Sequence, residues 1–411
     1  MSQIKIKNFG PIKDGYQEND GWMDIRKVTV FIGSQGSGKS TVAKLISTLS
    51  WIEKSFVRGD FTEKDLVTAN QLKKHCSYQN IGNYFKNNTV IGFNGKAYSI
   101  TYENGKVSIV RNEENGYSFP KIMYVPAERN LVSSVRDVRT LKGLPSTLYT
   151  FSDEFINAVD KLKGQIELPI NNAKFEYQKV NKLSWIVGKD YKIRLAESSS
   201  GFQSYVPLFI VTSFLADSQK EKDDNTIKDI SIEEEKRIRK EIEQILSNTK
   251  ISDDVKQASL EYLSSKFSYS SFINIVEEPE QNLFPASQQQ ILNTLLQFNN
   301  LNDNNGLIIT THSPYIINYL SLAIQAGFLF DKLTNSDQNA ELLMARLNDI
   351  VPHKSRISSS DVVIYQLDES DGNIKKLPDY EGIPSDNNYL NTSLAEGNLL
   401  FDSLLEIEEE I

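Results

Sequence analysis

The sequence has a single cysteine, Cys76, and three histidines in 411 residues. One thiol cannot close an internal disulfide or build a cysteine-based zinc site, so the chain fits a reducing cytoplasm. Cys76 lies in the polar run 73–80 and reads as an incidental thiol. Positive charge is in deficit: 45 Lys and Arg stand against 54 Asp and Glu, a net charge of −9. That argues against a broad basic face for nucleic acid. No stretch nears the ~20 apolar residues needed to span a bilayer, so no membrane is expected as a partner. Residues 1–9 alternate charged and apolar side chains and lack the apolar core of a secretory leader. There is no internal repeat, no low-complexity tract and no sustained heptad. What the chain does have is length and a 39% hydrophobic content, enough for a large core.

Periodicity places the elements. Residues 4–7 alternate strictly and predict a strand. Residues 28–32 are continuously apolar, as in a strand buried on both faces of a parallel sheet. A glycine-rich turn follows, then helical spacing at Val42, Leu45, Ile46 and Leu49. Short β runs at 90–93, 97–102 and 106–110 are separated by Asn94-Gly95 and Asn104-Gly105, both hairpin signals. Residues 122–125 form a further strand, and 174–195 return to strands. A helix is expected over 201–216, and buried strands at 272–276 and 307–310. Residues 362–367 and 374–377 make a terminal strand pair. The fold class is therefore α/β, with a mixed or parallel sheet, an inserted antiparallel β subdomain and a helical insertion. The expected division is a main domain over 1–345, containing a β and helical lobe at 80–200 and a charged helical insertion at 217–268. A small β/helical extension at 346–411 follows. The insertion alternates acids and bases and reads as a solvated helical hairpin or as a partner-binding arm.

Four segments carry chemistry. Gly33, Ser34, Gln35, Gly36, Ser37, Gly38, Lys39 and Ser40 fit G-x-x-x-x-G-K-[ST] between a strand and a helix. In that setting the loop amides and the helix start, reaching Thr41, cradle phosphates. Lys39 neutralises the β and γ phosphates, and Ser40 ligates Mg²⁺. Next, 272–276 ends in Glu277-Glu278-Pro279, placing two acids at a strand's C-terminal edge, where α/β sheets bind ligands. Glu277 is expected on Mg²⁺ and Glu278 on the attacking water. The third strand, 307–311, ends in His312, beside the expected γ-phosphate. Finally, 198–203 (Ser-Ser-Ser-Gly-Phe-Gln) opens a helix, either as an anion site or as an ordinary serine cap.

In this order the four segments resemble ABC-type ATPases of the AAA family, and among them the SMC/RecF/OLD branch. Ser199, Ser200, Gly201, Phe202 and Gln203 match the LSGGQ signature. Residues 277–285 (EEPEQNLFP) resemble the Walker B and D-loop of that branch, and 310–314 (TTHSP) its histidine switch. Residues 124–129 (YVPAER) are similar to an element of standalone bacterial ATPases such as that of the Septu defence system. The resemblance implies an ATP- and Mg²⁺-dependent ATPase that forms a head-to-tail homodimer. Each copy's Ser199, Ser200, Gly201 and Gln203 then cap the ATP on the other's loop, with Lys39, Glu278 and His312 as catalytic groups. It also implies work in DNA maintenance or anti-phage defence with a separately encoded effector protein.

The chain departs from the pattern at three points. Phe202 replaces the signature's second glycine, and Ser199 its leucine. Glu277 stands where Asp is usual, and no Q-loop glutamine is found. Glu128 or Arg129 takes that place, as a nucleotide sensor or, for Arg129, a salt-bridge partner. Lys174, Lys179, Lys182, Lys189, Lys192 and Arg194 form a basic cluster that reads as a solvated sheet face or a phosphate-backbone contact with nucleic acid. A non-hydrolysing ATP sensor and a transporter subunit are the competing functions.

Overall fold

The computed structural model describes residues 2–112, 117–135, 138, 141–217, 240, 269–334 and 340–409. The expected charged insertion, apart from Asp217 and Lys240, lies outside the described residues.

The chain opens with β1 (Ser2–Phe9), β2 (Gly15–Tyr16), β3 (Trp22–Ile25) and β4 (Val28–Gly33). Helices α1 (Lys39–Arg58), α2 (Glu63–Val67) and α3 (Gln71–Tyr78) follow. Next come β5 (Phe85–Asn94), β6 (Tyr98–Glu103), β7 (Lys106–Arg111) and β8 (Pro120–Val125). Helices α4 (Leu131–Ser134) and α5 (Ser146–Lys161) lead to β9 (Gln165–Glu167), β10 (Lys174–Gln178), β11 (Leu183–Val187) and β12 (Lys192–Arg194). The second half holds α6 (Ser200–Asp217), β13 (Ser271–Glu277), α7 (Pro285–Asn299), β14 (Gly306–Thr311), α8 (Pro314–Thr334) and α9 (Ala340–Ile350). It closes with β15 (Val362–Leu367), β16 (Asn373–Lys376) and α10 (Tyr389–Glu409).

The central sheet has seven strands in the order β2-β16-β15-β4-β14-β13-β8. The run from β15 to β8 is parallel throughout. Its strands are apolar on both faces, which suits burial between two layers. Alternation sorts their side chains. Val28, Val30, Ile32, Leu307 and Ile309 enter one core with α5 to α8, while Phe31, Ile308 and Tyr365 enter a second core with α1 and β1. A five-stranded antiparallel sheet, β3-β1-β5-β6-β7, encloses the far side of that second core, and β9 to β12 form a separate antiparallel sheet.

Two expected boundaries are not there. Residues 80–200 do not form one lobe: β5 to β7 join β1 and β3, β8 returns to the edge of the central sheet, and only β9 to β12 stand apart. The reason is Ile4 and Ile6 on β1, whose apolar face needs a partner and finds it in β5. Nor are residues 346–411 an extension. Strand β15 is buried at every position and pairs with β4 along its whole length, so the main sheet runs on past residue 345.

The two Asn-Gly signals also end differently. Asn104 and Gly105 both take positive φ, at 51° and 77°, the two-residue turn that matches strand twist. Between β5 and β6, Glu53 of α1 instead accepts the amides of Ala97 (2.6 Å) and Tyr98 (3.1 Å), and the loop is a residue longer.

Candidate active site

Parallel register decides where the chemistry gathers. Thr311 of β14 lies opposite Ile32 of β4, and Glu277 of β13 opposite Thr310 of β14. The 33–41 loop, His312, Glu277-Glu278 and the segment from Pro126 to Arg129 therefore leave four adjacent strands at one edge, the carboxyl edge of the sheet.

The loop is built by its glycines. Gly33 has φ 147°, and a Cβ there would lie 2.3 Å from the Leu367 carbonyl at the end of β15. Gly38, at φ 103°, caps α1, and a Cβ there would lie 3.1 Å from the Ile12 side chain. Helix α1 then begins at Lys39, so the first-turn amides of Lys39, Ser40 and Thr41 have no acceptor within the helix. Ser34, Gln35 and Gly36 are exposed, Ser40 is half-buried, and Ser37, Gly38, Lys39 and Thr41 are buried. The Ser37 hydroxyl is buried and has no hydrogen-bond partner among the described residues. Lys39 donates to the carbonyls of Gly33 (2.8 Å) and Ser34 (2.7 Å). Burial lowers its pKa, and the nearby charges of Glu278, Glu280 and Glu277 oppose that. An anion-binding loop with a buried ammonium beside it is what this arrangement offers chemically.

Glu277 is buried, and its carboxylate accepts the Ala127 amide at 3.3 Å. Glu278 is partly exposed and takes φ 42°, a left-handed conformation rare outside glycine. Its amide donates to the Thr310 carbonyl at 2.8 Å. Its carboxylate lies 3.4 Å from His312 Nδ1. The histidine contact holds the Glu278 pKa below the usual carboxylate value, and the same contact raises that of His312. A strained residue held from several sides is a mark of functional sites.

Sequence reasoning gave Glu280 no role, although it lies in the EEPE run. It is buried, and its Oε1 accepts from Thr311 Oγ1 (2.7 Å) and from the His312 amide (3.0 Å). Burial raises its carboxyl pKa. Glu280 thus ties the strand end that carries His312 to the turn after Glu278.

The signature segment lies against a different part of the site. Ser199 and Ser200 are exposed at the start of α6, and Phe202 is buried in the larger core. Gln203 turns back to the carbonyls of Ala196 and Ser198, both at 3.0 Å. A Cβ on Gly201 would face the Asn282 carbonyl at 3.0 Å. Among the described residues, no hydrogen bond joins this segment to the 33–41 loop of its own chain.

Neither reading of Arg129 stands. It is wholly buried and cannot touch a nucleotide in this arrangement, and its guanidinium donates to backbone carbonyls rather than to a carboxylate. Burial brings its pKa down to about 10. In the basic cluster, Lys174, Lys192 and Arg194 pair with Glu167, Glu176 and Glu197, which supports the solvated-face reading. No helix among the described residues is long and apolar enough to cross a membrane.

No protein-family profile and no curated protein sequence matches the chain. Solved structures do. The SMC head domain from Thermotoga maritima is 9% identical, with a TM-score of 0.34 over 77% of this chain and 90% of that one. An Smc head bound to the C-terminal domain of ScpA, derived from Pyrococcus furiosus, is 11% identical, with a TM-score of 0.35 over 92% and 96%. The dimeric ATP-binding cassette MJ0796 bound to ADP and Pi is 11% identical, with a TM-score of 0.30 over 92% and 100%. All three are matched at low identity and low TM-score.

Proposed function

We propose that the chain is an ABC-type ATPase that binds ATP on the 33–41 loop, hydrolyses it, and works as a nucleotide-gated head-to-tail homodimer. The observation that carries this reading is the convergence of Lys39, Glu277, Glu278 and His312 on adjacent strand ends of one parallel sheet.

The loop amides and Lys39 hold the triphosphate and take up its negative charge. A hydroxyl and a carboxylate are oxygen donors of the kind a hard cation prefers, so Ser40 and Glu277 would hold Mg²⁺. When bound, the ion supplies positive charge to the β and γ phosphates. Glu278 orients the attacking water and accepts its proton as the γ-phosphoryl group passes from the ADP oxygen to the water oxygen. His312, fixed through its amide by Glu280, sets the position of the Glu278 carboxylate. The exposed Ser199 and Ser200 and the half-buried Gly201 at the start of α6 complete the site of the opposite copy, where a helix N-terminus favours an anion. The motifs' resemblance to the SMC/RecF/OLD branch extends the reading to DNA maintenance or anti-phage defence with a separately encoded effector.

Sedimentation of Glu278→Gln with and without ATP tests the proposal. The variant is expected to accumulate as an ATP-bound dimer. A variant that binds ATP and stays monomeric at all concentrations refutes the dimer.

A further inference from the structure

Arg129 is the largest fully buried side chain among the described residues, and it lies away from solvent altogether. Its Nη1 donates to the Glu277 carbonyl (2.7 Å) and the Pro126 carbonyl (3.3 Å). Its Nη2 donates to the Glu278 carbonyl (2.6 Å), and its Nε to the Ser204 carbonyl (3.1 Å). One planar group thus grips the peptides of both Walker B acids and the first turns of α6. Burying a cation costs far more than filling the same space with an apolar side chain. Space-filling alone does not account for it. The fixed fork of donors does, because a guanidinium presents up to five N–H groups in one rigid plane, where an ammonium offers three on a flexible stem.

A second bond crosses the same joint. Asn282 Nδ2, just past the Walker B turn, donates to Ser204 Oγ at 3.1 Å. Gly201 approaches Asn282 so closely that no side chain fits between without displacement. Within one chain, then, the start of α6 and the Glu277-Glu278 turn are tied together through Arg129 and through the Asn282–Ser204 bond.

The two sides of this joint serve different nucleotides if the head-to-tail dimer of the preceding section holds, and the inference rests on that reading. Glu277 and Glu278 act on the ATP of their own chain. Ser199, Ser200 and Gly201 cap the ATP of the partner. We propose that Arg129 is a positioning residue that couples the two composite ATP sites of the dimer. A shift of the Walker B turn at one site is carried through the guanidinium to α6 and so to the cap of the other site.

Mixed dimers test this. Pair a Glu278→Gln chain with a wild-type chain, so that the live site uses the wild-type Lys39 and Glu278 and is capped by the mutant chain. Then add Arg129→Lys to the Glu278→Gln chain. The altered residue now sits beside the dead Walker B and reaches the live site only through α6. Coupling predicts that kcat at the live site falls roughly tenfold, as expected for a cap displaced by a fraction of an ångström. It also predicts that KM for ATP moves much less. An unchanged kcat in an intact mixed dimer, with loss only when Arg129→Lys is placed in the live chain, overturns the coupling. If the parent pair shows no ATP-dependent dimer, the dimer reading fails first and the coupling falls with it. Should Arg129→Lys melt at a markedly lower temperature, Ser204→Ala in the same chain reads the same joint by deleting the Asn282 bond. A smaller drop at the live site is then expected, and none refutes the coupling.

Discussion

Glu280 offers the most direct test of how the histidine strand is held. Its Oε1 accepts two hydrogen bonds, from Thr311 Oγ1 and from the His312 amide, and all three groups sit at or near the buried end of β14. In Glu280→Ala both donors lose their acceptor. A buried donor left unpaired costs about 1–3 kcal/mol, so the pair amounts to about 2–6 kcal/mol, less whatever water can enter to recover. In Glu280→Gln the acceptor oxygen remains, and the loss should be about 1 kcal/mol or less. Urea denaturation measures the global loss, and hydrogen exchange at the His312 amide measures the local one. Protection there should drop sharply in the Ala variant and only slightly in the Gln variant. Equal losses in both measurements would show that the carboxylate is not the acceptor that fixes His312. The pH dependence gives a second check. Burial raises the Glu280 pKa above the usual 4.5, so just above that pH the folded state holds a proton that the unfolded chain has lost. Stability conferred by the protonated form is therefore present below 4.5 and declines as pH rises through the folded-state value. Glu280→Gln cannot titrate, so its stability should decline less over that interval than the wild type's.

Lys39→Ala should abolish ATP binding in calorimetry, since the buried ammonium is the side-chain cation the loop itself supplies; binding within tenfold of wild type would refute that role. Gly105→Ala should lower stability by about 1–2 kcal/mol, the cost of a left-handed non-glycine residue, because nothing lies near its missing Cβ. Gly33→Ala should be worse, since its Cβ meets the Leu367 backbone; a smaller loss than at Gly105 would contradict the close approach. Cys76 is buried, and its thiol is pushed up to about 12. Alkylation in native buffer should therefore be slow and should accelerate with urea in step with unfolding; rapid labelling of the folded chain would show the site to be open.

Much of this site could be read from the chain because each motif carries its own context. The 33–41 loop lies between an apolar strand and an amphipathic helix, and Glu277-Glu278 and His312 each end an apolar strand. Parallel pairing then brings such ends together without further information. Arg129 was not legible in the same way. A charged residue after Pro126 looks solvated, and only the carbonyls of two distant segments, the Glu277-Glu278 turn and Ser204 on α6, explain its burial. The place of β15 was hidden for a similar reason, since a short, mostly apolar run does not say which strand it joins. Asn94-Gly95 shows the converse: a strong local signal yielded to Glu53, a side chain about 40 residues away whose carboxylate captured the loop amides.

The position of β4 bears on how the protein is made. This strand leaves the ribosome well before its two neighbours, which begin only at residues 306 and 362. Until β14 has emerged both edges of this apolar strand are unpaired, and one stays open until β15 follows, a condition that slows folding and invites association with other chains. Translation that stops before residue 362 should thus release a fragment able to make its five-stranded antiparallel sheet but prone to aggregate through the open flank of β4.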